Sequence, residues 1–255
     1  MSSAVRCRLD YAVRSLNDIS LAIVCPMANE AETATRFVDS VLANCAALRQ
    51  RKFLAIVDRA STDDTRKILE THAATVPEMN VVWAPENRSV VDAYVRGYRE
   101  ALETNAGWIL EIDAGFSHHP SDIPTLLEKM RNGYDCVFGS RFCPGGSFVD
   151  RSFARYWISY GGTVVTNLLL GTKLTDMTSG FQLFTREALE TILRRGIRSR
   201  GPFFQTEMKT HCRDLNVVEV PIQYRSPTHV VGSTALGDAF LNLWRLFRAR
   251  LAGSL

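Results

Sequence analysis

Four polar groups in this chain stand shortly after apolar runs, at positions where side chains from different runs can meet around a ligand. Asn29-Glu30 follows residues 21–25, Asp58 follows 53–57, Asp113 follows 108–112, and Ser140-Arg141 follows 136–139. In an open α/β sheet, ligands bind beyond the carboxyl ends of the strands. Successive strand ends would therefore bring acids, an amide and an arginine to one edge. Each residue alone could simply cap the next helix, but the four groups together predict a binding site.

The elements that must position these groups alternate along the chain. Strands are predicted at residues 21–25, 53–57, 81–83, 108–112, 135–139, 180–185 and 217–222. Helices are predicted at residues 32–47, 65–74, 89–104, 124–131, 153–170 and 237–251. Continuous apolar strands that alternate with helices are typical of a sheet covered on both faces. We therefore expect an α/β fold with a mostly parallel central sheet flanked by helices.

Composition excludes several classes of protein. The chain has 255 residues, of which 46% are apolar and 22% charged, as in ordinary globular proteins and unlike disordered, collagenous or multispanning membrane chains. A net charge of +3 is too small for a dedicated nucleic-acid binder. Charged residues interrupt the first 17 positions, which is unlike a signal peptide. The six cysteines show no C-x-x-C pair, which favours a reduced, cytoplasmic location.

Six segments, read in chain order, resemble the inverting glycosyltransferases of family 2. They are Cys25-Pro26-Met27-Ala28-Asn29-Glu30, residues 57–65, Asp113-Ala114-Gly115-Phe116 with the following His-His-Pro, Gly139-Ser140-Arg141, Asp176-Met177-Thr178-Ser179-Gly180-Phe181, and Glu219-Val220-Pro221. The resemblance covers residues 21–236 and is greatest to the branch that acts on dolichyl or polyprenyl phosphate. It implies the GT-A fold and a nucleoside-diphosphate-sugar donor.

The resemblance also assigns roles to individual residues. Those matching the nucleotide-sugar site are Pro26, Ala28, Glu30, Asp58, Arg59, Asp113 and Ala114. Those matching the catalytic and acceptor-phosphate site are Asp113, Arg141, Arg155 and Ser159. A phosphate acceptor is largely ionised at neutral pH, because its second pKa is about 6. Such a nucleophile needs cationic groups that position it and no general base.

The resemblance implies a divalent cation, Mg²⁺ or Mn²⁺, bound by Asp113. Gly115 stands where the family carries a second carboxylate, so the metal site lacks one expected ligand. His118 could complete a site for Mn²⁺, although its counterpart in the family is usually structural. Arg59 replaces another family acid, and its charge could stand in for metal charge beside the diphosphate.

The end of the chain is predicted to contact a membrane surface. Within residues 237–251, apolar side chains recur at helical spacing around Trp244, and Arg245, Arg248 and Arg250 occupy other positions. This is the composition of an interfacial helix; packing against the core or a second copy is the alternative. We therefore expect residues 1–236 to form the GT-A domain and 237–255 an amphipathic helix of the same domain, peripheral on the cytoplasmic membrane face.

These features predict an inverting enzyme that moves a mannose- or glucose-type sugar from a nucleotide donor to polyprenyl phosphate. Two alternatives stay open. One is a family 2 enzyme that glycosylates a saccharide hydroxyl, which would need a general base. The other is a nucleotide-sugar-binding protein that lost catalysis along with the second metal carboxylate.

Overall fold

The computed structural model of the protein describes residues 19–149, 153–225 and 233–255. For residues 153–155 and 233–235 it describes the backbone but not the side chains. Its strands are β1 (Ser20–Pro26), β2 (Gln50–Val57), β3 (Met79–Trp83), β4 (Trp108–Glu111), β5 (Cys136–Ser140), β6 (Ser147–Phe148), β7 (Gln182–Thr185), β8 (Val217–Pro221) and β9 (Gln223–Tyr224). Its helices are α1 (Ala34–Asn44), α2 (Thr65–Ala73), α3 (Val90–Glu103), α4 (Ile123–Met130), α5 (Phe153–Leu170), α6 (Arg186–Arg195), α7 (Phe204–His211) and α8 (Ser233–Leu251).

Seven of the described strands form one sheet in the order β3-β2-β1-β4-β7-β5-β8. All neighbouring pairs are parallel except those made by β7, which runs antiparallel to β4 and β5. The predicted α/β fold with a mostly parallel sheet is therefore confirmed. The strand order changes direction between β1 and β4, and such a switch point opens a crevice at the carboxyl ends.

Helices cover both faces of this sheet, which explains why the strands are apolar without alternation. One face packs against α1, α2 and α4 through a cluster that includes Phe37, Leu69 and Leu126. The other packs against α3, α6 and α7 through a second cluster that includes Tyr98 and Met208. The crevice at the carboxyl edge is thereby placed on a rigid two-sided core.

A third, smaller cluster joins α5 to α8. Leu170, Phe203 and Leu246 are its buried members. Both helices leave large apolar side chains exposed: Leu168 is 79% exposed on α5 and Phe240 is 70% exposed on α8. Within the described residues, none of the helices has the length and apolar character to cross a membrane.

Candidate functional site

The loops after β1 and β2 are held together by the polar residues of the first two sequence motifs. Asn29 has a left-handed φ of 59°. Its side-chain amide donates to the Ala60 carbonyl at 3.0 Å and its oxygen accepts from the Thr62 N–H at 2.9 Å. Asp63 accepts from the backbone N–H groups of Ala31 and Thr65. These residues build the rim of the crevice, and their contacts are structural.

The two carboxylates expected to bind the donor lie at this rim. Asp58 is 8% exposed, and its Oδ1 accepts from the Ala60 N–H at 2.9 Å. Glu30 is half-buried; its Oε2 accepts from the Thr33 hydroxyl at 2.7 Å, and burial raises the pKa of its carboxyl. The other residues predicted to bind the nucleotide sugar lie at the same edge of the sheet and are exposed or half-buried. They are Pro26, Ala28, Arg59 and Ala114.

Gly115 lies beside the Glu30 carboxylate in a left-handed backbone conformation that favours glycine. Its φ is +71°, and a Cβ added there would lie 2.8 Å from Glu30 Oε1. A larger residue would therefore meet both a strained backbone and a carboxylate oxygen. The missing second acid of the metal motif is thus accompanied by a local conformation that disfavours a side chain, unless the Glu30 carboxylate moves aside.

Asp113 lies at the centre of the crevice, just beyond β4. Its side chain is 40% exposed, and its Oδ1 accepts a hydrogen bond from the Tyr94 hydroxyl of α3. On the other side, His118 Nδ1 is 3.5 Å from Oδ2 and accepts from the Asp113 N–H at 3.4 Å. Asp113 is therefore oriented from two directions while one edge stays open to a ligand.

His118 is enclosed in the interior, which argues against the predicted role as a metal ligand. Its ring stacks on Phe181 with 5.1 Å between ring centroids and also contacts Tyr224. Burial lowers the pKa of His118 to about 4, so the ring is neutral at pH 7. Its Nδ1 lone pair is taken by the Asp113 N–H, leaving the residue a structural role in orienting Asp113.

The described residues contain no group of three His, Cys, Asp or Glu side chains that could hold a metal ion. Asp113 nevertheless fits the way proteins often hold Mg²⁺, through one or two carboxylates plus substrate phosphates and water. A divalent cation would thus be bound jointly by Asp113 and a donor diphosphate.

Arg141 follows β5 and is bound by a buried carboxylate. Its Nε and Nη2 donate to the two oxygens of Asp176 at 2.7 and 2.8 Å. Burial alone would raise the pKa of the Asp176 carboxyl, but the Arg141 guanidinium holds it well below its usual range. The rings of Phe142, Phe148 and Tyr224 surround the guanidinium at 5.0 to 5.4 Å. The arginine is thereby fixed in position before any ligand arrives.

Three of the four predicted catalytic residues line one cavity of about 410 Å³. They are Asp113, Arg141 and Ser159, and the last of these comes from α5. Arg155 belongs to the same helix, one turn earlier, but its side chain lies outside the described residues. Apolar side chains of α5 and α8 also line the cavity, among them Ile158, Val165, Leu236, Phe240 and Leu243. The cavity therefore combines charged and polar groups with a largely hydrophobic lining.

Several residues that shape the site gave little or no sequence signal. Asp176 belongs to a matched motif, yet its partner was not predictable because Arg141 is 35 residues away. Tyr94 and Glu111 gave no sequence signal for a role in the site. Glu111 is fully buried beneath Asp113, accepts hydrogen bonds from Tyr98, Gln182 and Gln205, and has its pKa raised by burial to about 8.

Comparison with known proteins identifies the family of the chain and two similar enzymes. The profile of the family described as "Glycosyl transferase family 2" matches residues 22–193. An undecaprenyl-phosphate mannosyltransferase of Micrococcus luteus is 34% identical over 209 residues, which are 77% of this chain and 86% of that protein. A polyprenol monophosphomannose synthase of Mycolicibacterium smegmatis is 28% identical over 205 residues, 79% of this chain and 76% of that protein.

Solved structures share the fold. The glucosyl-3-phosphoglycerate synthase of Mycobacterium tuberculosis, in complex with Mn²⁺, UDP and glucosyl-3-phosphoglycerate, superimposes with a TM-score of 0.65. The match covers 98% of this chain and 84% of that one, with 18% sequence identity. At this identity the likeness concerns the fold, and it agrees with the expected GT-A architecture.

Proposed function

The chain belongs to glycosyl transferase family 2 and is a glycosyltransferase; from this premise we propose that it transfers a hexose from a nucleoside diphosphate to a polyprenyl phosphate, with inversion. The sugar is of the mannose or glucose type, and mannose is favoured because both named relatives are mannose enzymes. The first two sequence motifs and Asp113 would bind the donor, and the cavity beside them would bind the acceptor.

The shape and chemistry of the cavity are the observation that carries this proposal. Arg141 and Ser159 line it and offer groups that can bind a phosphate, and apolar side chains of α5 and α8 line it too. A prenyl phosphate has the same division into an anionic head and a hydrophobic tail. A saccharide acceptor would instead favour polar walls.

The main contribution of the protein to this reaction would be to position the acceptor phosphate and the donor sugar. A phosphate oxygen of the acceptor attacks the anomeric carbon, the bond from that carbon to the diphosphate breaks, and one displacement inverts the configuration. Arg141, with Arg155 and Ser159 on one face of α5, would hold the phosphate in line. Asp113 would hold a divalent cation, Mg²⁺ or Mn²⁺, which neutralises charge on the departing nucleoside diphosphate.

The two alternatives are less well supported. Transfer to a saccharide hydroxyl would need a general base, and among the described residues that line the cavity Asp113 is the one carboxylate. Asp113 also faces the expected donor site, so it is poorly placed to act as the general base for an acceptor hydroxyl. A binding protein without catalysis is disfavoured because the relatives are named as transferases.

We further propose that the exposed apolar side chains of α5 and α8 face the cytoplasmic side of a membrane, with residues 1–236 and 237–255 acting as one domain.

The arginines of α8 were expected to contribute to this membrane contact, but two of them bind groups of the protein. Arg245 forms an ion pair with buried Glu207, and Arg250 donates to the Leu169 carbonyl at the end of α5 at 2.7 Å. These two arginines attach α8 to the protein; Arg245 is half-buried, whereas Arg248 and Arg250 are exposed. A second copy of the chain is the alternative occupant of this face.

The proposal is tested by transfer to undecaprenyl phosphate in detergent. Purified protein is given labelled GDP-mannose or UDP-glucose with Mg²⁺, Mn²⁺ or EDTA, and the label is followed into the organic phase. We expect one donor to give organic-soluble product, Arg141→Met to abolish it, and Arg96→Met, outside the cavity, to leave it intact. Product that stays wholly in the aqueous phase with saccharide acceptors would overturn the proposal.

A further inference from the structure

Lys209 of α7 is a buried cation to which neither the sequence motifs nor the proposed reaction gives a role. Its side chain is 1% exposed, and its Nζ donates to the main-chain carbonyl of Asp176 at 2.6 Å. The ammonium also lies over the Phe138 ring, 5.1 Å from its centroid. Lysine is almost never fully buried unless it is paired, because removing an ammonium from water is costly. A burial cost of this kind calls for a compensating interaction.

The compensating charges are those of the acceptor side of the crevice. Burial lowers the pKa of Lys209, and the carboxylates of Asp176 and Glu219 oppose that shift and favour the charged form. Glu219 accepts from the N–H groups of Thr175 and Asp176 at 2.6 and 2.9 Å. The Asp176 backbone is therefore held from two sides, by Lys209 at its carbonyl and by Glu219 at its amide.

This arrangement matters for Arg141. Asp176 takes up Nε and Nη2 of Arg141, so the remaining Nη1 is the edge left for a ligand. Within the described residues, Nη1 donates no side-chain hydrogen bond that would compete for it. An arginine paired only with a buried carboxylate has little net charge to offer a phosphate. Lys209 lies behind that carboxylate, so its charge makes the potential at the cavity more positive than it would be with Asp176 and Glu219 alone.

We propose that Lys209 is a positioning residue for the acceptor phosphate, acting through Asp176 on Arg141. It fixes the backbone of Asp176, whose carboxylate receives the guanidinium, and its charge offsets that of Asp176, so that Arg141 attracts a phosphate in the cavity. This inference rests on the proposed function, since it assumes a phosphate acceptor at Arg141.

The test replaces Lys209 by methionine, which keeps much of the side-chain volume and removes the charge. Arg195→Met is the matched control: Arg195 donates to the His211 carbonyl at the end of the same helix but lies outside the cavity. Binding of farnesyl phosphate without donor is measured by calorimetry, and steady-state kinetics are measured with undecaprenyl phosphate and nucleotide sugar.

We expect Lys209→Met to weaken farnesyl phosphate binding and to raise the KM for the acceptor on the order of tenfold, the size of one partly screened charge interaction. The KM for the donor, and kcat at saturating acceptor, should stay within about twofold, and the control should change neither KM. Equal losses for donor and acceptor, or an unchanged acceptor KM, would overturn the inference. Where Lys209→Met does not fold, Lys209→Gln keeps a donor for the Asp176 carbonyl without the charge, and the same outcomes apply.

Failure of the inference is distinguishable from failure of the proposed function. If the unmodified protein transfers sugar to undecaprenyl phosphate and Lys209→Met leaves acceptor use unchanged, only the role of Lys209 is wrong. If the unmodified protein binds farnesyl phosphate but transfers no sugar to any prenyl phosphate, the proposed function is wrong while the binding comparison still decides on Lys209. If it binds no prenyl phosphate, both are wrong.

Discussion

Asp113 depends on the hydroxyl of Tyr94 for its orientation, and that dependence can be measured. Tyr94→Phe keeps the ring, which packs against Phe204 at 5.3 Å, and removes the donor to Asp113 Oδ1. We expect the KM for nucleotide sugar to rise several-fold and the free energy of unfolding to fall by only about 1 kcal/mol. Kinetics and urea unfolding check both; Tyr134→Phe, away from the cavity, is the control. A large loss of stability with unchanged kinetics would contradict the positioning role.

Glu111 should make stability depend on pH. Its pKa is about 8 in the folded protein, and its ordinary value is 4.5. The folded state therefore binds a proton that the unfolded state releases between these values, so stability falls as the pH rises from about 5 to about 8. The limiting slope for one proton is about 1.4 kcal/mol per pH unit.

Glu111→Gln isolates this effect, because glutamine cannot titrate and keeps an acceptor for the Tyr98 hydroxyl. Urea unfolding of both proteins between pH 5 and 8 should show their difference in unfolding free energy shifting in favour of the variant as the pH rises. A difference that stays constant over this range would show that the carboxyl is not the source.

Restoring the family's second acid should harm this protein. Gly115→Asp would place a Cβ 2.8 Å from Glu30 Oε1 at a φ of +71°, and would add a negative charge beside a half-buried carboxylate. The left-handed backbone alone costs about 1–2 kcal/mol. We expect lower stability and lower activity, measured by thermal unfolding and by transfer at saturating Mn²⁺. Gly115→Ala separates backbone strain from charge; a gain of activity in Gly115→Asp would show that the site had merely lost a ligand.

At the scale of elements, the parallel strands and the crevice at their ends were predictable because each strand is an unbroken apolar run followed by polar residues. Helix α7 was not predicted, and its composition explains why. All eight of its residues are buried, including Gln205, Glu207 and Lys209. A helix that buries polar side chains all around and satisfies them internally has no amphipathic period to detect. Strand β7 was predicted at residues 180–185, but its antiparallel direction was not, since an apolar run does not reveal the direction of a strand.

The candidate site was also only partly predictable from the sequence. Asp113, Arg141 and Ser159 were found through local motifs, and the structure brings them to one cavity. Their supports Tyr94, Asp176 and Lys209 come from separate elements, and only the tertiary fold brings them together. Charge patterning was only a partial guide in α8, where Arg245 and Arg250 bind groups of the protein itself, although Arg250 is also exposed.

The attachment of α8 gives a prediction for that element. Arg245 is the side-chain cation paired with Glu207, whose side chain is fully buried. Arg245→Met would leave this carboxylate with the backbone N–H groups of Arg198 and Ser199. Because those donors remain, we expect a loss of about 1–3 kcal/mol, smaller than for a wholly unpaired buried charge. Hydrogen exchange in α8 should quicken, whereas exposed Arg248→Met should change neither exchange nor stability. Equal behaviour of the two variants would contradict the role of the ion pair.

At the scale of the whole molecule, the two sides of the crevice have different construction. The donor side is a rigid rim of loops that follow β1, β2 and β4 over the main core. The acceptor side is closed by α5 and α8, which pack on each other through a small cluster and expose apolar side chains outward. A water-soluble donor and a membrane-bound acceptor would thus approach from different faces of one protein.

This arrangement predicts that the outer face of α5 and α8 binds lipid. Leu168 and Phe240 are 79% and 70% exposed, and burying each in a bilayer interface is worth about 1.5–3 kcal/mol. The double variant Leu168→Glu with Phe240→Glu should lose at least about tenfold in partitioning to phosphatidylglycerol vesicles. Trp83→Glu, an exposed aromatic of the edge strand β3, is the control and should partition as the unmodified protein does.

The same double variant separates a membrane from a second copy of the chain as the occupant of this face. Sedimentation with vesicles and light scattering are measured in parallel. If the membrane covers the face, the unmodified protein is monomeric without lipid and loses vesicle binding on substitution, while donor-induced thermal stabilisation is unchanged. A dimer that the substitutions dissociate, with no vesicle binding before or after, would assign the face to self-association. The cavity is lined by residues of both helices and by Arg141, so it would connect a lipid acceptor with Arg141 only in the first case.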